Sequence, residues 1–247
     1  TISGKGPSDP KRETKEATEI LERQVSAAIS CLYVAALLDV ARDRLTCANK
    51  EGFRHDDSKI SSFIKYTDSV VEIVPSLMSL ATKTACVRAA KGKRIVLEVM
   101  MVGSAWKDQR FSEHCNDYVD AMCLRCARIW DNLSSSPRKL PAHALLQVWK
   151  NTVRCCFRSL LEGFSKVVIC SMEGRALMSM DLATFYAGCK PDAVENRMQG
   201  VFGAPEPPPS VAAAAEYMHH VDAYVKAFYF PEEDLLAWIE SNKKNYH

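Results

Sequence analysis

Glycine is scarce in this chain, ten in 247 residues, and no run of six or more residues alternates between apolar and polar in the manner of a strand. Those two shortages remove the usual marks of a sheet protein and leave helix as the favoured element. An excess of one charge is missing as well. The balance of 32 basic against 30 acidic residues gives a net charge of +2, which supplies no clustered basic face of the kind that duplex nucleic acid requires. No secretory leader is recognisable, and no apolar run approaches the ~20 residues that a bilayer-spanning helix needs. A repeat of solenoid period is also absent.

What remains is the composition of a globular protein, 47% hydrophobic and 25% charged, on a chain long enough to bury a core. The start at Thr1 rather than methionine and the end at His247 suggest a piece of something larger. Residues 1–12, with Gly4, Gly6, Pro7 and Pro10 among charges, read as a flexible lead-in to a helical domain over 13–247. Ten cysteines sit mostly among apolar neighbours at helix-compatible positions, where a free thiol behaves as a small hydrophobe. A disulfide-stapled domain would be shorter and richer in turns, so the cysteines point to a reducing compartment.

Periodicity places the helices. From Glu13 to Ala48 the positions Leu21, Val25, Ala28, Leu32, Ala36 and Val40 recur at three- and four-residue steps, an apolar stripe along one long helix. Residues 49–58 read as a connection. A second helical block covers 59–90 with Ile60, Phe63, Ile64, Ile73, Leu77 and Leu80, and Pro75 inside it predicts a kink or a restart. A basic turn, Lys91 to Arg94, leads into a block through Trp106, Tyr118 and Trp130 that closes at Ser134–Pro137. The clearest helix runs from Ala142 to Met172, with Leu145, Trp149, Val153, Cys156, Leu160, Phe164 and Val167 on one face. Lys150, Arg154, Arg158, Glu162 and Lys166 line another, and Glu162 stands four residues before Lys166, the favourable order for an ion pair. Residues 200–216 form a Pro/Ala-rich loop, and two closing helices cover 211–230 and 231–245, Pro231 opening the second.

No reaction centre emerges from the polar residues. Cys123 and Cys126 form a CxxC, yet they lie inside a helical pattern with no second ligand pair, so burial is the expected role rather than metal or redox chemistry. Cys155 and Cys156 are read as core, and His219 and His220 as solvated or partly packed, since adjacent helix positions do not converge on one ion. A site assembled from distant residues would take His114, His143 and Glu173 around an enclosed pocket. Lys91, Lys93 and Arg94 could instead contact phosphoinositide headgroups, the behaviour of a peripheral membrane module. Glu173-Gly174-Arg175 reads either as a helix end or tight crossing, or as a partner-facing site, because glycine within a helix costs about 1 kcal/mol unless close packing requires it.

The stretch Glu162-Gly163-Phe164, Cys170 and Glu173-Gly-Arg-Ala-Leu-Met178, followed by Asp181-Leu182, resembles the C-terminal domain of the syndetin family. Further words fall in the same order: Trp106, then Tyr118-Val-Asp120-Ala121; Trp149; and Val221-Asp-Ala-Tyr224-Val-Lys226 ahead of Trp238-Ile239. The likeness extends over about residues 60–246, and the first fifty residues carry no matching word. The resemblance implies an all-α, elongated helical bundle of the exocyst and Golgi-associated retrograde tether type. It implies a non-enzymatic subunit of the endosome-associated recycling complex, without metal or cofactor, working in endosomal recycling and retrograde transport. Its implied partners are other tether subunits, SNARE proteins or small GTPases, and its implied place is cytoplasmic, peripheral on endosomes or trans-Golgi membranes. The motif residues would then be structural positions or partner contacts.

Overall fold

The computed structural model describes residues 10–50, 57–108, 110, 112–135, 140–190, 212–227 and 229–242. The architecture is all-α, as expected, with eight helices and no strand among the described residues. They are α1 Pro10–Lys50, α2 Asp57–Ala90, α3 Gly92–Met101, α4 Asp117–Ser134, α5 Ala142–Ser165, α6 Met172–Gly188, α7 Ala212–Ala227 and α8 Glu232–Asn242. The first helix therefore begins at Pro10, inside the expected lead-in, whose residues 1–9 lie outside the described ones. Most of the expected 200–216 loop, residues 200–211, also lies outside them, and Ala212–Ala215 already belong to α7.

The helices share two cores joined through α4 and α5. One gathers Ile95 and Val99 of α3, Trp106, Tyr118 and Met122 of α4, the α5 face with Trp149, Phe157 and Phe164, Phe185 of α6, and Val221 and Val225 of α7. The other packs Leu21, Val25 and Ile29 of α1 against Ala85, Cys86 and Ala89 of α2, Ile129 and Leu133 of α4, and Val148 of α5. Trp130 and Trp149 meet edge to face with centroids 5.7 Å apart, where the two cores approach. The α5 stripe read from the sequence is the buried one from Trp149 to Phe164, while Leu145 and Val167 are only half-buried at its ends.

The α1 stripe is buried over only half its length. Leu21, Val25 and Ala28 are in the core, whereas Ala36 and Val40 are exposed. The cause is geometric: at 1.5 Å per residue a 41-residue helix runs about 60 Å, farther than the bundle it docks on. Beyond Ile29 none of its side chains belongs to either core, and α1 and α2 project as a two-helix hairpin. The helix does not restart at Pro75, and α2 is one helix. Pro75 is exposed, so water can satisfy the carbonyl one turn back that loses its N–H partner. By length and composition both long helices could cross a membrane, contrary to the reading of the sequence. Their apolar windows are only 11% and 17% buried. Yet Arg42 sits on the hairpin in contact with Asp39 at 2.6 Å, Asp43 at 3.0 Å and Asp68 at 2.8 Å, four charges that a hydrocarbon environment would penalise heavily.

The basic turn is tighter than expected. Lys91 alone links α2 to α3, at φ 52°, a left-handed conformation that glycine would adopt more readily. Glycine occupies the next position instead because a Cβ on Gly92 would stand 2.7 Å from Ser159 Oγ on α5. Arg125 of α4 donates to the Ala90 carbonyl at 3.2 Å, satisfying the end of α2 from outside.

Replacing Trp149, 1% exposed where the cores meet, by alanine is expected to cost about 3–5 kcal/mol. Urea unfolding followed by far-ultraviolet circular dichroism measures it.

Candidate functional site

Three β-branched residues, Val167, Val168 and Ile169, follow the C-cap of α5, and Ser171 then opens a new helix. The α5 helix consequently stops at Ser165 rather than Met172, and Glu173-Gly174-Arg175 forms the first turn of α6 rather than a helix end. Ser171 is the N-cap: its Oγ accepts from the Gly174 N–H at 2.9 Å. The same residue fastens this end of the molecule to the turn after α3. Its N–H donates to the Trp106 carbonyl at 2.8 Å, and its hydroxyl donates to the Asp108 carbonyl at 2.6 Å.

Both glycines of the motif sit where no side chain fits. A Cβ on Gly174 would lie 2.4 Å from the Trp106 carbonyl oxygen and 2.8 Å from Cys170 Sγ; a Cβ on Gly163 would lie 2.9 Å from Val99 Cβ. Trp106 is itself held on both sides. Its indole N–H donates to the Val99 carbonyl at 2.9 Å, and its ring meets Phe164 edge-on at 6.0 Å.

Two turns further along α6, Asp181 reaches the start of α4. It is fully buried and accepts from the Asn116 backbone N–H at 2.9 Å, from Asn116 Nδ2 at 2.7 Å and from the Tyr118 hydroxyl at 2.5 Å. The carboxylate therefore does what the N-cap Asn116 side chain does not, satisfying an amide at the positive end of α4. Burial pushes the Asp181 pKa up, and the three donated bonds pull against that shift. Burial next to this carboxylate raises Tyr118 in turn. Arg175, 7% exposed, points its guanidinium at Met178 Sδ, 3.7 Å away, and hydrogen-bonds Tyr224 of α7.

The sequence-selected residues thus converge on one junction. Trp106, Gly163, Gly174, Arg175, Tyr118, Asp181 and Tyr224 tie α3, α4, α5, α6 and α7 together there. Trp149 stands apart from the junction, in the first core against Trp130. Glu162 is exposed and pairs with Lys166 at 2.9 Å, in the order read from the sequence. Glu173 is half-buried in the first turn of α6, Asp120 is exposed in that of α4, and Lys226 pairs with Asp222 at 2.6 Å. Trp238 stacks on Phe230 at 5.6 Å. Lys93 and Arg94 are exposed on the first turn of α3, Lys91 is half-buried, and Arg94 pairs with Glu98 at 2.7 Å.

Sequence reasoning missed Ser171 and the segment before it. The signal was a serine followed by acid in the next turn. Between the two helices Val168 is 93% and Ile169 61% exposed, and Met172 opens α6 at 70%. At the C-terminal end of α3, Met101 is 83% exposed. An apolar edge therefore lies beside a junction whose polar groups are turned inward.

The residues that a site assembled from distant positions would take are not brought together among the described side chains. His114 is exposed, and the side chain of His143 lies outside the described residues. Among the described residues no group of three His, Cys, Asp or Glu side chains is placed to hold a metal ion. Cys123 and Cys126 are both buried, and Cys126 Sγ stands 3.7 Å from Cys156 Sγ. Burial pushes Cys86 up to about 12 and Cys155 to about 11, far from a reactive thiolate. Cys31 and Cys47, by contrast, are exposed on α1.

The family model described as "Syndetin, C-terminal" matches residues 19–247. The chain belongs to the syndetin C-terminal family. The match begins some forty residues earlier than the resemblance read from the motifs, and takes in α1 from its first core residues onward. Curated relatives named Syndetin from mouse and rat are each 26% identical over 160 residues, 62% of this chain and 15% of theirs. Chicken Syndetin is 23% identical over 148 residues, 59% of this chain and 14% of its own. The matched stretch thus spans about one seventh of these relatives. No solved structure matches.

The junction generates two expectations. Gly174→Ala forces a methyl into the Trp106 carbonyl and is expected to destabilise by about 2 kcal/mol or more, whereas Ala176→Gly in the same turn should cost about 1 kcal/mol. Denaturant midpoints compare them. Tyr118→Phe removes one donor from a buried carboxylate, at about 1–3 kcal/mol. The sign with pH follows from Asp181: its folded pKa is raised above the unfolded value, so its ionisation opposes folding. That cost is absent below the unfolded pKa, grows as pH rises from there to the folded pKa, and is constant above it. Loss of the Tyr118 bond raises the folded pKa further, so the penalty of Tyr118→Phe should be larger at pH 7 than at pH 4, measured by urea unfolding at both.

Proposed function

We propose that this chain is a contact module of a multisubunit vesicle tether, acting in endosomal recycling and retrograde transport without catalysing a reaction. The observation that carries the reading is the match of the syndetin C-terminal family over residues 19–247. Membership in a family of tethering-complex subunits gives the coarse role; the pathway, the SNARE or small-GTPase partners and a cytoplasmic place on endosomal or trans-Golgi membranes are the finer reading. The geometry supports a role by contact. The motif residues lock five helices into one rigid end, and the exposed Val168, Ile169, Met172 and Met101 lie beside that lock. A rigid support under an apolar edge is what a binding surface needs, because little ordering entropy is left to lose on association. In this reading the candidate positions serve as the frame of the contact surface rather than as the contacts themselves, and residues 13–247 act as one helical domain.

The test is affinity capture from cells of the full-length protein that carries this chain. Recovery of the other tether subunits is expected, and their absence under conditions that preserve the complex would overturn the proposal. Val168→Asp with Ile169→Asp, on side chains already in water, should leave helix content and unfolding midpoint unchanged while lowering the recovered subunit at least about tenfold.

A further inference from the structure

The projecting α1–α2 hairpin carries a second apolar surface, unconnected with the junction. Tyr66, Ile73, Leu77, Leu80 and Val87 follow one another on α2 at steps of seven, four, three and seven, which sets them in a single stripe. They are 49–63% exposed, and Val34 of α1 is 55% exposed. The stripe borders a groove of about 450 Å³ between the two helices, lined by Gln24, Ala27, Cys31, Val74, Leu77 and Thr84. None of the five stripe residues belongs to either core. A folded α2 therefore shows water a stripe as regular as the one it buries.

We propose that a second copy of this chain covers this surface, with the α2 helices of the two copies packed antiparallel about Leu77. Two observations select that occupant. The first is charge. The second half of α2 carries Lys83 and Arg88 and no acidic residue. The first half holds Asp57, Asp68 and Glu72 beside Lys59 and Lys65, with Asp68 already paired to Arg42 of α1. Antiparallel pairing lays Lys83 and Arg88 of each helix along the half of the other that holds Glu72. With Leu77 on the two-fold axis, position 83 of one copy faces position 71 of the other, so Lys83 stands beside Glu72 of the second copy. Both residues are exposed and both flank the stripe on the same side, the flank that meets itself in an antiparallel pair. Eleven residues of helix separate them within one chain, so they cannot pair there.

The second observation is the extent of the stripe. Five large side chains, each about half exposed, run from Tyr66 to Val87, roughly 30 Å of helix against which an identical helix can lie. A bilayer is the weaker occupant, because the Arg42 cluster with Asp39, Asp43 and Asp68 would have to enter with the hairpin.

Sedimentation velocity on the 247-residue chain, from sub-micromolar to tens of micromolar, tests the proposal. A concentration-dependent monomer–dimer equilibrium in the micromolar range is expected. Leu77→Asp should weaken it at least about a hundredfold, with helix content unchanged. Lys83→Glu should weaken it about tenfold, and adding Glu72→Lys to the same chain should restore it, because the pair is re-formed with its charges exchanged. A chain that stays monomeric at tens of micromolar overturns the proposal. So does a dimer indifferent to Leu77→Asp, or a charge-exchanged double variant as weak as the single one. Binding of the monomer to phosphatidylcholine–phosphatidylserine vesicles in place of dimerisation would overturn it too. The Proposed function stands or falls separately, since Val168 and Ile169 are not on this face.

Discussion

The carbonyl of Trp106 is the point on which the helical arrangement turns. It accepts the Ser171 N–H, and it stands so close to the Gly174 Cα that no β-carbon can be interposed. That contact fixes where α6 begins and how near it lies to the turn after α3. Everything α6 does elsewhere depends on this placement. Asp181 reaches the first turn of α4 because α6 starts where it does, and Arg175 finds Tyr224 of α7 for the same reason. A shift of one residue in the cap would rotate α6 by about 100° and turn both charged groups away from their partners.

Such a joint is costly in isolation. A buried carboxylate and a buried guanidinium each lose hydration, and neither has the other as its described partner. The structure offsets the losses locally. Three donors converge on Asp181, one of them an amide at the positive end of α4 that would otherwise be unpaired. Polar groups of this kind contribute less to net stability than to uniqueness: an apolar core can repack, but a carboxylate that needs three donors tolerates one arrangement. That is the property a module working by shape requires, and it gives the polar motif residues a structural role.

The all-α class and the α5 face were legible because they rest on periodicity, which is local. Trp149, Val153, Cys156, Leu160 and Phe164 lie on one side of any helix that contains them. The motif residues were legible as a group only through family likeness. What the sequence hid were facts settled by neighbours distant along the chain. The end of α5 at Ser165 is decided by the cap at Ser171 and its attachment to Trp106, sixty-five positions earlier. Gly92 looked like part of a basic turn, and its reason is Ser159 of α5. Pro75 predicted a kink or a restart, and α2 does not restart there; the proline sits on an exposed face, where water can satisfy the carbonyl left without its N–H partner. The stripe on α1 was real along its whole length, but periodicity reports which residues share a face, not whether anything lies against it.

That last distinction bears on the two long helices. Over its outer half the hairpin buries about one face of each helix against the other, and α1 and α2 carry apolar residues on more than one. Tyr33 and Leu37 point outward on α1 at 65% and 69% exposure, while Ala35 between them faces inward. Neither helix is polar enough on its free side to be a solvated spacer. Each large side chain left in water would contribute roughly 1.5–3 kcal/mol if fully buried. Beyond Ile29 α1 adds no side chain to either core, so the outer hairpin is the part of the fold that gains most from being covered.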